Sequence, residues 1–142
     1  MVKLIIFDLD GVLVEAKNIH YEALNKALGK KYAISWNEHL STYDGLKTTQ
    51  KLSMLSEKKG LPTSFHKDIW EHKQEITLEK LRELKPNHTL IQAMKGLVED
   101  GYKIAVCSNS IRKTVLTVLS KLGIMEYMDL VISNEDVKNG KP

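Results

Sequence analysis

The stretch that most constrains the fold is the run from Lys3 to Gly11, KLIIFDLDG. Four apolar, β-favouring residues lead directly into two carboxylates spaced two apart, and then into a glycine. A short apolar run without alternation reads as a strand buried on both faces, as in a parallel sheet. In extended chain, residues i and i+2 point the same way, so Asp8 and Asp10 leave the strand on one side. Gly11 lets the chain turn sharply beside them. Two convergent acids at the C-terminal end of a buried strand suit a divalent cation together with nucleophilic or acid–base work. The same pattern also fits a plain turn with helix-capping aspartates, and the rest of the chain has to decide between the two.

The rest of the chain supplies the elements a parallel sheet needs. Residues 103–107 and 129–133 are two further short apolar runs. Helical patterns with stop signals separate them: 89–100 before Gly101, and 111–122 before Gly123. Strand, helix, strand, helix, strand in this order predicts an α/β fold with a parallel sheet and crossover helices. The expected strand order is the first strand, then 103–107, then 129–133, with the first at one edge. Residues 15–85 hold only helical patterns. One covers 18–28, with Ile19, Ala23, Leu24, Ala27 and Leu28 on one face. A second opens at Ser35, where Ser35 and Glu38 have the spacing of a capping box. A third spans 47–59, and a fourth, capped by Thr63 or Ser64, runs to about residue 84 with Phe65, Ile69, Ile76 and Leu84 inward. This block reads as a helical insertion into the α/β core.

Composition narrows the function. At 142 residues the chain is long enough for a real core, and 42% hydrophobic and 27% charged residues are the values of a globular protein. The net charge of +3 comes from lysines spread along helices among glutamates, with no basic stripe, so nucleic-acid binding is not indicated. No apolar run is long enough to cross a membrane, and nothing resembles a signal peptide. The single Cys107 excludes an internal disulfide. A cytoplasmic protein is expected.

Parallel sheets bind ligands at the C-terminal ends of their strands. In this sequence those ends carry Asp8 and Asp10, then Ser108 and Asn109, then the late Lys141. A carboxylate nucleophile, a second carboxylate as acid–base, a hydroxyl and a lysine form a coherent kit for phosphoryl transfer. Catalysis there is mostly positioning and charge neutralisation around the transferred group. A hydroxyl and backbone N–H groups at a helix start can hold phosphoryl oxygens. Mg²⁺ would let an anionic aspartate approach an anionic phosphate. Taken singly, Ser108 is an ordinary helix cap and Lys141 a solvated lysine; the combination carries the signal.

These motifs resemble the haloacid dehalogenase superfamily, in its branch of β-phosphoglucomutases and phosphoglycolate-type phosphatases with a helical cap. Asp8-Leu-Asp10-Gly-Val-Leu resembles the first motif, Val106-Cys-Ser108-Asn109 the second, and Gly140-Lys141-Pro142 the third. The resemblance implies an incomplete Rossmann-like core at 1–14 and 86–142, with about three strands, and a helical cap at 15–85. It implies Asp8 as nucleophile and metal ligand, and Asp10 as general acid–base with its carbonyl on Mg²⁺. Ser108 would hold phosphoryl oxygens with Asn109 beside it at the substrate, and Lys141 would neutralise charge. The turn at 44–49, with Gly45, Leu46, Lys47 and Thr48, falls where the family reads its substrate. His20 falls where the branch's mutases carry a substrate-facing histidine; a helix-surface histidine is the alternative. The other four histidines show no metal-ligand spacing and are expected at the surface.

Two departures qualify the resemblance. Lys47-Thr48-Thr49 stands where the mutases carry an arginine, which favours a phosphatase over a sugar-phosphate mutase. Past the lysine the family continues into another helix, a strand and an acidic pair that completes the Mg²⁺ site, whereas this sequence ends at Pro142. The expectation is therefore a Mg²⁺ affinity lowered about 10-fold or more, and a first strand whose open edge pairs with another chain as a homodimer. The expected function is a Mg²⁺-dependent phosphatase of small phosphorylated metabolites working through an aspartyl-phosphate on Asp8. The alternative is a non-catalytic fragment acting through protein association.

Overall fold

The computed structural model describes residues 1–142. In chain order the elements are β1 (Leu4–Phe7), α1 (Lys17–Leu28), α2 (Trp36–Glu38), a π-helical turn (His39–Tyr43), α3 (Thr48–Lys59), a 3₁₀ turn (Thr63–Phe65), α4 (His66–Leu81), α5 (His88–Glu99), β2 (Lys103–Cys107), α6 (Arg112–Leu122), a second 3₁₀ turn (Met125–Tyr127) and β3 (Leu130–Ile132). They fall into two compact units: Met1–Glu15 with Lys80–Pro142, and Ala16–Glu79. No helix is long and apolar enough to cross a membrane.

The first unit is α/β. Its three strands form a parallel sheet in the order β1-β2-β3, as the strand–helix alternation predicts. Leu4 aligns with Lys103 and Phe7 with Val106; Ala105 aligns with Leu130 and Cys107 with Ile132. β2 is central, and its Ile104, Ala105 and Val106 are buried. α6 turns Val115, Val118, Leu119 and Leu122 inward and stops at Gly123, whose φ of +81° is the left-handed region that glycine enters without strain. α5 is capped by Asn87, whose side chain accepts the Leu90 N–H at 3.1 Å. β1 is an edge strand, and Leu4 and Ile6 are 49% and 60% exposed.

The second unit is all helical. Leu24, Leu28, Tyr32, Ile34, Tyr43, Leu52, Leu55, Leu61 and Ile69 form its core. The Ser35–Glu38 capping box is present: Ser35 Oγ accepts the Glu38 N–H at 3.1 Å, and Glu38 Oε2 accepts the Ser35 N–H at 2.7 Å. The helix that opens at Ser35 continues at residues 39–43 as a π turn closed by the Asp44 N–H on the His39 carbonyl at 2.8 Å. Two expectations need correction here. Phe65 is half exposed, because it lies in the 3₁₀ turn ahead of α4 and not on that helix's inner face. His39 is fully buried, not at the surface. The π turn directs it inward, where its ring meets Tyr21 and Trp36 at centroid distances of 5.4 and 5.3 Å.

Candidate active site

The candidate residues of the first unit follow the C-terminal ends of its three strands. After β1 the chain reverses tightly: the Leu13 N–H reaches the Leu9 carbonyl at 2.9 Å and the Gly11 N–H the Val14 carbonyl at 2.7 Å, with Gly11 at φ +78°. Leu9 is completely buried, while Asp8 is exposed and Asp10 half-buried. The two acids thus flank a residue anchored in the core, which fixes where their backbone can go.

Lys141 closes on this turn from the far end of the chain. Its ammonium donates to Asp8 Oδ1 at 2.7 Å and to the Cys107 carbonyl at 3.1 Å. A 2.7 Å N–H···O contact between full charges is a short, charge-assisted bond. Asp8 Oδ1 also accepts the Leu9 N–H at 2.8 Å. Both of these bonds fall on Oδ1, and Oδ2 carries neither. Asn109 pairs with the main chain of Lys141: its Oδ1 accepts the Lys141 N–H at 2.9 Å and its Nδ2 donates to the Lys141 carbonyl at 3.4 Å.

Ser108 is buried at the end of β2. Its N–H donates to the Ile132 carbonyl at 2.9 Å, and its hydroxyl accepts the Ser110 N–H at 3.1 Å. Ser110, which the strand-end motifs do not include, places its hydroxyl 3.5 Å from Asp10 Oδ2. Its membership in the polar triplet after β2 was the available signal. The loop after β3 is tied down independently. Asp136 accepts the Ser133 N–H at 2.7 Å, the Ser133 hydroxyl at 2.9 Å and the Arg112 guanidinium at 2.8 Å. The Ser133 backbone bond leads these in holding its carboxyl at a pKa of about 2. Glu135 accepts the Arg112 N–H at the start of α6 at 2.6 Å.

Asp8, Ser108, Asn109 and Lys141, with Asp10 beside Ser110, are therefore gathered at one end of the sheet. The remaining candidates belong to the helical unit. His20, on α1, is half-buried, and its Nδ1 lies 3.4 Å from the Lys73 ammonium. Gly45 and Leu46 form the turn before α3, with Gly45 at φ +76°. The Lys47 N–H donates to Gln50 Oε1 at 3.1 Å, and the buried Thr48 begins α3.

The arrangement fits hard-cation chemistry only in part. Asp8 and Asp10 offer oxygen donors of the type Mg²⁺ takes, and Mg²⁺ characteristically keeps several waters and one or two carboxylates. No group of three or more His, Cys, Asp or Glu residues is placed to hold a metal on its own.

Comparison with known proteins identifies the family and the fold. The chain is 27% identical to a phosphorylated carbohydrates phosphatase of Thermotoga maritima, over 97% of this chain and 64% of that protein. It is 26% identical to pyrophosphatase PpaX of Bacillus cereus, over 97% of this chain and 62% of that protein. The chain thus spans less than two thirds of the length of these curated relatives. The crystal structure of β-phosphoglucomutase from Clostridium difficile superposes with a TM-score of 0.86 at 24% identity, covering 100% of this chain and 66% of that one, which establishes the shared fold. The profile of the haloacid dehalogenase-like hydrolases matches residues 5–142, and with the strand-end motifs in place the chain belongs to that family.

Proposed function

We propose that this chain is a Mg²⁺-dependent phosphatase of small phosphorylated metabolites, of the sugar phosphate or phosphoglycolate type. The observation that carries the proposal is the 2.7 Å bond between Lys141 and Asp8, residues 133 positions apart. A lysine held against an exposed aspartate at the ends of parallel strands is the arrangement an anionic nucleophile needs before a phosphoryl group. Identity to phosphatases across nearly the whole chain supports the same reading.

In this reading the Asp8 carboxylate attacks phosphorus, the ester oxygen leaves, and Asp10 gives that oxygen its proton. Water then attacks the aspartyl-phosphate, Asp10 accepts the water's proton, and phosphate departs from a regenerated Asp8. Lys141 offsets the charge that gathers on Asp8 and the phosphoryl oxygens. The Ser108 hydroxyl is the donor for those oxygens. Asp8 and Asp10 would hold Mg²⁺, which supplies charge neutralisation when bound. The helical unit holds the candidates for substrate selection, the turn of Gly45, Leu46, Lys47 and Thr48 and the α1 residue His20.

The test is a screen of sugar phosphates and phosphoglycolate with and without Mg²⁺, run alongside Asp8→Asn. Phosphate release that needs Mg²⁺ and disappears in Asp8→Asn is the expected result. A folded sample inactive at millimolar Mg²⁺ would sink the proposal. Return of the phosphate to the substrate as an isomer, without free phosphate, would instead identify a mutase.

A further inference from the structure

We infer that Asn109 is a positioning residue for Lys141, not a substrate ligand. A carboxamide carries a donor and an acceptor side by side, as a peptide group does. The Asn109 side chain uses both on one residue, taking the N–H of Lys141 at 2.9 Å and giving to its carbonyl at 3.4 Å. It thereby does for Lys141 what a neighbouring strand would do, at a point beyond the last residue of β3. Lysine is a point charge on a flexible four-carbon stem, so its ammonium stays in place only if the backbone behind it does. The ammonium is held by Asp8 Oδ1 and the Cys107 carbonyl, and the backbone by Asn109, two residues beyond Cys107. The loop's other end is fixed separately. The Asn134 N–H donates to the Ser110 carbonyl at 3.0 Å, and Arg112 binds both Glu135 and Asp136. Asn109 is the tie nearest the charge that matters, and it follows Ser108 directly, so one short segment sets both the hydroxyl and the lysine.

The role of Asn109 in turnover rests on the proposed phosphatase chemistry; its hold on Lys141 does not, and the experiment separates the two. The full chain and Asn109→Ala are treated with a lysine-acetylating reagent. The labelling rate of Lys141 is read by peptide mass spectrometry against the exposed Lys95 of α5 in the same digest. Asn109→Ala is expected to speed labelling of Lys141 about tenfold, as befits loss of one or two net hydrogen bonds. The rate at Lys95 stays the same. Asn109→Asp keeps the acceptor of the shorter bond and recovers most of the protection. In turnover of p-nitrophenyl phosphate, Asn109→Ala lowers kcat about 10- to 100-fold with KM nearly unchanged. Unchanged Lys141 labelling in a variant whose circular dichroism and melting match the parent overturns the inference. So does a raised KM at constant kcat, the signature of a substrate ligand. Absence of turnover in the parent chain counts against the phosphatase reading alone and leaves the labelling result standing.

Discussion

Replacing His39 by phenylalanine should stabilise the chain. His39 is completely buried, and neither ring nitrogen has a hydrogen-bond partner. Its nearest opposite charge is Asp44 Oδ1, 3.7 Å from Nε2 and too far for a hydrogen bond. A buried polar group left unsatisfied costs about 1–3 kcal/mol. Phenylalanine removes that cost, keeps a ring of similar size against Tyr21 and Trp36, and retains an aromatic contribution of about 0.5–1.5 kcal/mol. The slightly larger ring gives back part of the gain. A net gain of about 1 kcal/mol corresponds to a rise in Tm of about 3 °C. The pH dependence gives an independent reading. Burial lowers the pKa of His39 below its ordinary 6.5, reinforced by Lys51 and His20; Asp44 and the Lys17 backbone pull the other way. The folded state thus binds this proton less readily than the unfolded chain. The stability held by the neutral ring is fully present above pH 6.5 and falls as the pH drops from there through the lowered folded value. Urea unfolding from pH 8 to pH 5 should show this decline in the parent and a shallower one in His39→Phe. A variant that is less stable at pH 8, or that keeps the parent's full acid sensitivity, refutes the reasoning.

Three further outcomes follow from single contacts. Gly123→Ala should lower stability by about 1–2 kcal/mol, since its φ is +81° and a Cβ would meet Ile91 Cδ1 at 2.9 Å. Gly96→Ala, inside α5 with open space around it, should raise stability by about 0.5–1 kcal/mol in the same thermal melts. Lys141→Ala should lower kcat for phosphate release about 100-fold or more, as loss of a donor at developing charge does; an undiminished kcat would remove Lys141 from the chemistry.

What could be read from the sequence was what short-range physics dictates. The strand at Lys103–Cys107, the stop at Gly123 and the Ser35–Glu38 capping box each depend on residues within a few positions, and each is present. The π turn at His39–Tyr43 was not legible, because a bond from residue 44 to residue 39 leaves no period in the side chains. The buried position of His39 follows from that turn and so was missed with it. Phe65 fitted a helical period, but the 3₁₀ turn altered its phase. At the candidate site, Asp8, Ser108 and Lys141 could be picked out because chemistry restricts residue types at strand ends. The pairing of Asn109 with the backbone of Lys141 could not. It joins positions 32 apart through main-chain groups that every residue possesses.

The central claim is that Asp8 takes up the phosphoryl group, and acid quenching tests it most directly. The protein is mixed with Mg²⁺ and a hydrolysed phosphate monoester, quenched in acid during turnover, digested and analysed by mass spectrometry. The prediction is one phosphoryl group on the peptide carrying Asp8, absent in Asp8→Asn. Phosphate release with no modification of that peptide, or release that persists in Asp8→Asn, would contradict it.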